Sequence, residues 1–140
     1  MKKVAVVFWS GTGNTEAMAD AVVKGAQAAG ASVDKITASA FGPSDVDSYD
    51  AIAFGCPAMG SEQLEDGEFE PMFDSVKGSL NGKTIALFGS YGWGDCEWMR
   101  NWEEDCKAAG AALACDSVTA NDAPDDDAVE ACKALGAALA

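Results

Sequence analysis

The chain has 140 residues, 49% hydrophobic and 23% charged; this is the length of one ordinary domain with an average soluble composition, so disorder, collagen and coiled coil are poor readings. Nine Lys+Arg against 23 Asp+Glu give a net charge of −14, without any histidine. That balance lacks the basic footprint of a nucleic-acid binder, would be repelled by an anionic membrane, and removes Ser-His and Cys-His catalysis with the commonest transition-metal ligand.

Met1-Lys2-Lys3 leads into an apolar run that stops at Trp9. It is too short for a signal peptide or a membrane span, so the expected location is the cytoplasm. Residues 4–8 are apolar throughout and end at Ser10-Gly11, which reads as a strand buried on both faces. Residues 15–29 are expected to be helical, with Met18, Ala21, Val22 and Gly25 on one face and Gly30 in the C-terminal capping place. A weaker strand is expected at 32–36 and a buried one at 51–54, before Gly55. A short helix follows at 69–76, with Pro71 early, where proline is tolerated. Residues 84–88 before Gly89 form a third buried strand, and 96–109 a helix closed by Gly110. Residues 112–118 read as a weaker strand. The last helix, 125–139, follows Pro124, and its leading aspartates suit the positive end of a helix dipole.

The order β-α-β-(short helix)-β-α-β-α-β-α, with the short helix between the second and third strands and with right-handed crossovers, predicts one α/β domain, residues 1–140, with helices on both faces of a five-stranded parallel sheet. Ligands of such sheets bind beyond the C-terminal strand ends, where the strand order reverses.

The loops at those ends are unusual. Ser10-Gly11-Thr12-Gly13-Asn14-Thr15 joins the first strand to the first helix. Its glycines let backbone N–H groups turn inward, the helix terminus adds its dipole, and hydroxyls and an amide add neutral donors. No Lys follows as in a triphosphate loop, and the third glycine of a dinucleotide fingerprint is missing. A single phosphate fits best; the plainer alternative is a Gly/Ser turn that caps a helix. Cys56-Pro57-Ala58-Met59-Gly60-Ser61-Glu62 and Gly89-Ser90-Tyr91-Gly92-Trp93-Gly94-Asp95 follow the strands at 51–54 and 84–88. Met59 and Trp93 each stand beside a flexible glycine, which suits them to sandwich a planar ring whose edge the backbone can hydrogen-bond. The plainer alternative is that both fill hydrophobic gaps.

Trp9-Ser10-Gly11-Thr12-Gly13-Asn14-Thr15, Gly55-Cys56-Pro57-Ala58-Met59-Gly60 and Leu87-Phe88-Gly89-Ser90-Tyr91-Gly92-Trp93-Gly94 resemble the short-chain flavodoxins of anaerobic bacteria. The likeness runs nearly end to end, through Glu68-Phe69-Glu70-Pro71 and Asn121 with Pro124-Asp125. It implies a flavodoxin-like doubly wound sheet in the order 2-1-3-4-5 and one non-covalent FMN. Ser10, Gly11, Thr12, Gly13, Asn14 and Thr15 would hold the 5′-phosphate. Met59 would cover one flavin face and Trp93 the other, with Pro57, Ala58, Ser90 and Tyr91 in the same loops. Glu62 would meet the pyrimidine edge near N3. The Gly60 region, followed by small Ser61, would supply the peptide that turns over to bond N5–H. Backbone N–H groups of Gly92, Trp93 and Gly94 would face N1 and O2, and Asn121 would make a weaker ribityl-side contact. The implied function is a low-potential one-electron carrier between redox proteins, cycling between neutral semiquinone and hydroquinone.

Glu62, Glu65, Asp66, Glu68 and Glu70, with Asp95 and Glu97, form an acidic rim that aids solubility. Nearby carboxylates and an apolar sandwich also disfavour an anionic reduced flavin, which lowers the potential of the second electron step. The same rim would dock basic patches on redox partners of a monomer in fast, salt-sensitive encounters. Asp122, Asp125, Asp126 and Asp127 read instead as a helix N-terminal charge cluster. Cys56, Cys96, Cys106, Cys115 and Cys132 read as buried free thiols, and no metal site is expected.

The nearest rival is an NAD(P)H-dependent flavin or quinone reductase, for which no Arg cluster exists to hold a phosphorylated nucleotide. A phosphoacceptor domain fails on Phe8-Trp9-Ser10, which lacks the acidic pair. A Cys-nucleophile phosphatase fails because Cys96 and Arg100 are too close.

Overall fold

The apolar runs become the middle of a sheet. β1 (Lys3–Phe8), β3 (Ala51–Gly55) and β4 (Thr84–Tyr91) are buried along nearly their whole length, because helices cover both faces. β2 (Ser32–Thr37) lies at one edge and is exposed or half-buried. The computed structural model describes residues 2–11, 13–59, 63–92 and 94–140. Its strand order is β2-β1-β3-β4-β5, where β5 is Ala112–Leu113, with every pair parallel, as expected for the doubly wound class.

The far edge differs from the expectation. In place of one strand over 112–118, two short strands, β5 (Ala112–Leu113) and β6 (Val118–Asn121), pair in succession along β4. Between them Ser117 Oγ turns out to donate to the Glu103 carboxylate at 2.7 Å. Asp116 and Ser117 are poor strand formers, which favours the break there. β4 also outruns its expected end at Phe88, because β6 supplies partners for Phe88, Gly89, Ser90 and Tyr91. Gly89 therefore belongs to a strand, and a Cβ there would collide with the Cys56 carbonyl oxygen.

α1 (Asn14–Ala28), α3 (Phe69–Lys77), α4 (Glu97–Ala108) and α5 (Asp126–Leu139) lie within one residue of their expected bounds. The four-residue α2 (Pro43–Val46) is the short helix expected between the second and third strands; the 3-10 turn (Ala38–Ala40) before it was not expected, being too short to show a hydrophobic period. Gly30 ends α1 at φ +99°, with Gly30 N–H bonded to Gln27 C=O at 3.0 Å and Ala31 N–H to Ala26 C=O at 3.1 Å. Those paired bonds define a left-handed helix stop that a side chain would disfavour, and Gly110 ends α4 in the same way. Asp125 caps α5 by accepting Ala128 N–H at 2.8 Å, as the aspartate run suggested.

Side chains alternate across the sheet into two cores. Val4, Val6 and Phe8 pack with Met18, Val22 and Leu135 under α1 and α5. Ala5 and Val7 face Phe54, Phe69, Phe73, Trp98 and Trp102 under α3 and α4. On the first side a Cβ on Gly25 would strike the Lys133 carbonyl, and one on Gly136 the Val22 carbonyl, so α1 and α5 touch backbone to backbone. Cys56, Cys106 and Cys132 are buried, whereas Cys96 and Cys115 are only half-buried, which corrects the expectation for those two. Among the described residues no helix is long and apolar enough to cross a membrane.

Candidate functional site

A cleft of ≈ 270 Å³ opens where β1, β3 and β4 end. Its first wall is the turn into α1. Ser10 Oγ accepts the Gly13 N–H at 3.1 Å and the Glu16 N–H at 3.3 Å, folding the loop onto the helix start. Gly13, at φ +96°, is the residue before α1 and supplies no side-chain cap. Its left-handed backbone is what glycine permits most cheaply. A Cβ on Gly11 would come within 3.0 Å of the Trp9 indole, so the loop lies against that ring. Thr15 is 1% exposed, and its Oγ1 lies 3.0 Å from Ser90 Oγ. This buried hydroxyl pair ties α1 to β4.

The second wall is the chain leaving β3. Cys56 N–H donates to Phe88 C=O at 3.2 Å and Ala58 N–H to Ser90 C=O at 2.9 Å, continuing the β3–β4 pairing. Met59 and Gln63 exchange N–H···O bonds of 2.8 and 3.0 Å, an isolated antiparallel bridge. Trp98 Nε1–H donates to the Cys56 carbonyl at 3.2 Å. The third wall is Ser90, Tyr91 and Gly92, with Asp122 beside them. Asp122 has φ +57° and donates its N–H to Tyr91 C=O at 2.7 Å. Left-handed backbone is uncommon for a residue with a side chain and worth a functional question at a cleft. Asp122 therefore leaves the helix cluster to which its sequence position assigned it.

Of the expected site residues, Ser10, Gly11, Asn14, Thr15, Pro57, Ala58, Met59, Ser90, Tyr91 and Gly92 line this cleft. Gly13, Gly94 and Asn121 are described but do not; Asn121 faces a separate shallow cleft beside α5. Thr12, Gly60, Glu62 and Trp93, together with Ser61, lie outside the described residues. Trp9 and Asp122 line the cleft without having been expected there. Trp9 adjoins the glycine loop, which was an available signal. Asp122 was hidden by its neighbouring aspartates.

The acidic rim needs one correction. Asp66, Glu68 and Asp95 are exposed, but Glu65 is 8% exposed. Its Oε1 accepts the N–H groups of Glu68 and Phe69 at 2.7 and 2.8 Å, and its Oε2 that of Gly67 at 2.7 Å. Burial alone would push its carboxyl up, but these backbone donors outweigh that and hold it below the usual carboxylate range. Burial pushes the Cys56 thiol up, and those of Cys106 and Cys132 to about 12, so these cysteines stay protonated and inert.

Among the described residues no cation lines the cleft, and no cluster of His, Cys, Asp or Glu could hold a metal. Neutral hydroxyl and amide donors at the N-terminus of a long helix suit a single phosphate. The Met59, Ala58 and Tyr91 side suits a flat, largely apolar ring. The residues present therefore fit a phosphorylated flavin.

A parallel sheet in this order, with an anion cradle and an apolar slot at its switch point, defines the doubly wound nucleotide-binding class. The family profile described as Flavodoxin matches residues 6–136. A flavodoxin from Megasphaera elsdenii is 46% identical over 98% of both chains. One from Clostridium beijerinckii is 40% identical over 96% of this chain and 97% of its own. The solution structure of two-electron reduced Megasphaera elsdenii flavodoxin is similar at a TM-score of 0.90, with 47% identity over 97% of each chain. The chain belongs to the flavodoxin family. It is accordingly an FMN-binding carrier that passes electrons to redox-protein partners, and not an enzyme.

Proposed function

We propose that residues 1–140 form one FMN-binding unit that acts as a monomeric, low-potential, one-electron carrier in the cytoplasm, cycling between neutral semiquinone and hydroquinone. The observation that carries this reading is the cleft's polarity: neutral donors on a helix N-terminus at one end, an apolar slot at the other, and, among the described residues, a carboxylate but no cation in its wall. The flavin supplies the one-electron chemistry when bound. Ser10, Gly11, Thr12, Gly13, Asn14 and Thr15 bind the phosphate through hydroxyl and N–H donors aided by the helix dipole. Met59 and Trp93 cover the ring faces, and Pro57, Ala58, Ser90 and Tyr91 line the slot. Glu62 would accept from the pyrimidine edge of the bound flavin, the Gly60 peptide would bond its N5–H, and Gly92, Trp93 and Gly94 would offer N–H groups to N1 and O2. Asn121 is a peripheral ribityl contact.

Asp122 adds a fixed negative charge to the wall. Together with exposed Asp66, Glu68 and Asp95, it disfavours a further negative charge in the cleft. Replacing Asp122 with Asn should raise the second-electron potential by roughly tens of millivolts in a spectroelectrochemical titration. The exposed acids also suit basic surfaces on redox partners, and transfer rates should fall as salt rises. Stepwise anaerobic reduction of the FMN complex tests the whole reading. A blue neutral semiquinone passing to a hydroquinone is expected. Reduction in a single two-electron step, with steady NAD(P)H oxidation, would overturn it in favour of a reductase.

A further inference from the structure

We propose that Glu65 is a positioning residue for the cofactor, a buried strut that fixes Met59 in the cleft wall. This rests on the reading of Met59 as a ring-covering side chain. Glu65 lies in a strongly acidic stretch, yet both of its carboxylate oxygens are spent on backbone N–H groups at the start of α3. Its own N–H donates to Cys56 Sγ at 3.3 Å, and its carbonyl accepts Glu70 N–H at 2.8 Å. Cys56 is in turn held by the Phe88 carbonyl and by Trp98 Nε1–H. One residue thus joins the end of β3, the segment returning from the Met59–Gln63 bridge, and the first turn of α3. Met59 lies between the two attachment points, Cys56 and Glu65, so its place in the wall depends on both.

The geometry separates this role from that of a surface charge. Glutamine has the same shape but would turn an NH₂ group toward N–H donors, losing acceptors and adding repulsion. Asp74 on α3 is an exposed carboxylate outside the cleft, so D74N removes the same charge without touching the strut.

The test measures FMN dissociation by flavin fluorescence and both potentials by anaerobic titration, for E65Q, D74N and M59A. E65Q is expected to bind FMN about tenfold more weakly and to shift the first-electron potential, as loss of a supporting hydrogen-bonded residue does at other sites. D74N should stay within about twofold of wild type, since exposed charges contribute little. E65Q that is less stable but binds FMN with wild-type affinity and potentials would overturn the proposal. If M59A also binds normally, the ring-covering reading of Met59 fails instead. Should E65Q not fold, C56A removes the thiol acceptor and decides the matter. About threefold weaker binding, restored in C56S, supports the strut, and wild-type affinity in C56A overturns it.

Discussion

The two faces of the sheet hold their helices by opposite means. Where α1 and α5 meet, the contact residues are small, and Gly25 and Gly136 let one helix backbone rest on the other. Under α3 and α4 the space is filled by rings: Phe54 stands edge-on to Phe73 at 5.4 Å, and Trp102 edge-on to Phe69 and Phe73 at 5.3 and 5.7 Å. Backbone contact tolerates no added atom, whereas ring packing tolerates no lost volume. The division maps onto the cleft. α1, which begins at the glycine loop, rides on the small-residue face. The Met59 segment is braced from the aromatic face through Trp98 and Glu65.

Removing a ring should have the largest effect. Trp102→Ala is expected to cost about 3–5 kcal/mol in urea unfolding. Trp102→Phe should cost well under half of that, because the indole N–H is buried without a hydrogen-bond partner among the described residues and Phe removes it. Equal losses in both variants would show that the N–H is in fact satisfied.

Adding one methyl to the other face comes next. Gly136→Ala should destabilise by about 1–3 kcal/mol by overpacking, although Ala is normally the better helix former by about 1 kcal/mol. A neutral or stabilising result would break the contrast between the faces.

A smaller, pH-dependent effect belongs to Glu65, the one buried carboxylate among the described residues. Its folded pKa lies below the unfolded value. Its contribution is thus fully present above the ordinary glutamate pKa of about 4.3 and is lost as pH falls through the folded value. The stability gap between wild type and E65Q should be constant near neutrality and close progressively below about pH 4.3 in acid titrations. The smallest effect is expected at Lys35, whose ammonium bridges Glu16 at 2.9 Å and Asp20 at 2.8 Å at the surface. Lys35→Met should change stability by less than about 1 kcal/mol, and by less still in high salt.

Much of this architecture was legible in the sequence. The uninterrupted apolar runs at β1, β3 and β4 announced strands buried on both sides, and Gly30 and Gly110 marked helix ends. What escaped notice depended on contacts between distant segments. Gly89 and Ser90 have loop composition, yet β6 pairs with them and keeps them in β4. The aspartates at 125–127 told the truth about α5 and concealed Asp122, whose left-handed turn depends on its bond to Tyr91. One local contact escaped as well: Glu65 has the composition of its exposed neighbours, yet its carboxylate turns onto the N–H groups of Gly67, Glu68 and Phe69, two to four residues on, at the entry to α3. In the glycine loop, residue types named the donors Ser10 and Thr15. They did not reveal that Ser10 folds back onto Gly13 and Glu16, or that Thr15 pairs with Ser90.

The seam between α1 and α5 also joins two helices that lie far apart along the chain. Until residues 126–139 dock, the face of α1 that carries Gly25 has no cover. Contacts spanning so much sequence form late, because loop closure precedes their reward. Docking of α5 therefore completes the support of the helix that the glycine loop begins. A chain in which that docking is incomplete presents an unsupported cradle for the nucleotide, so flavin affinity should report on closure of the seam.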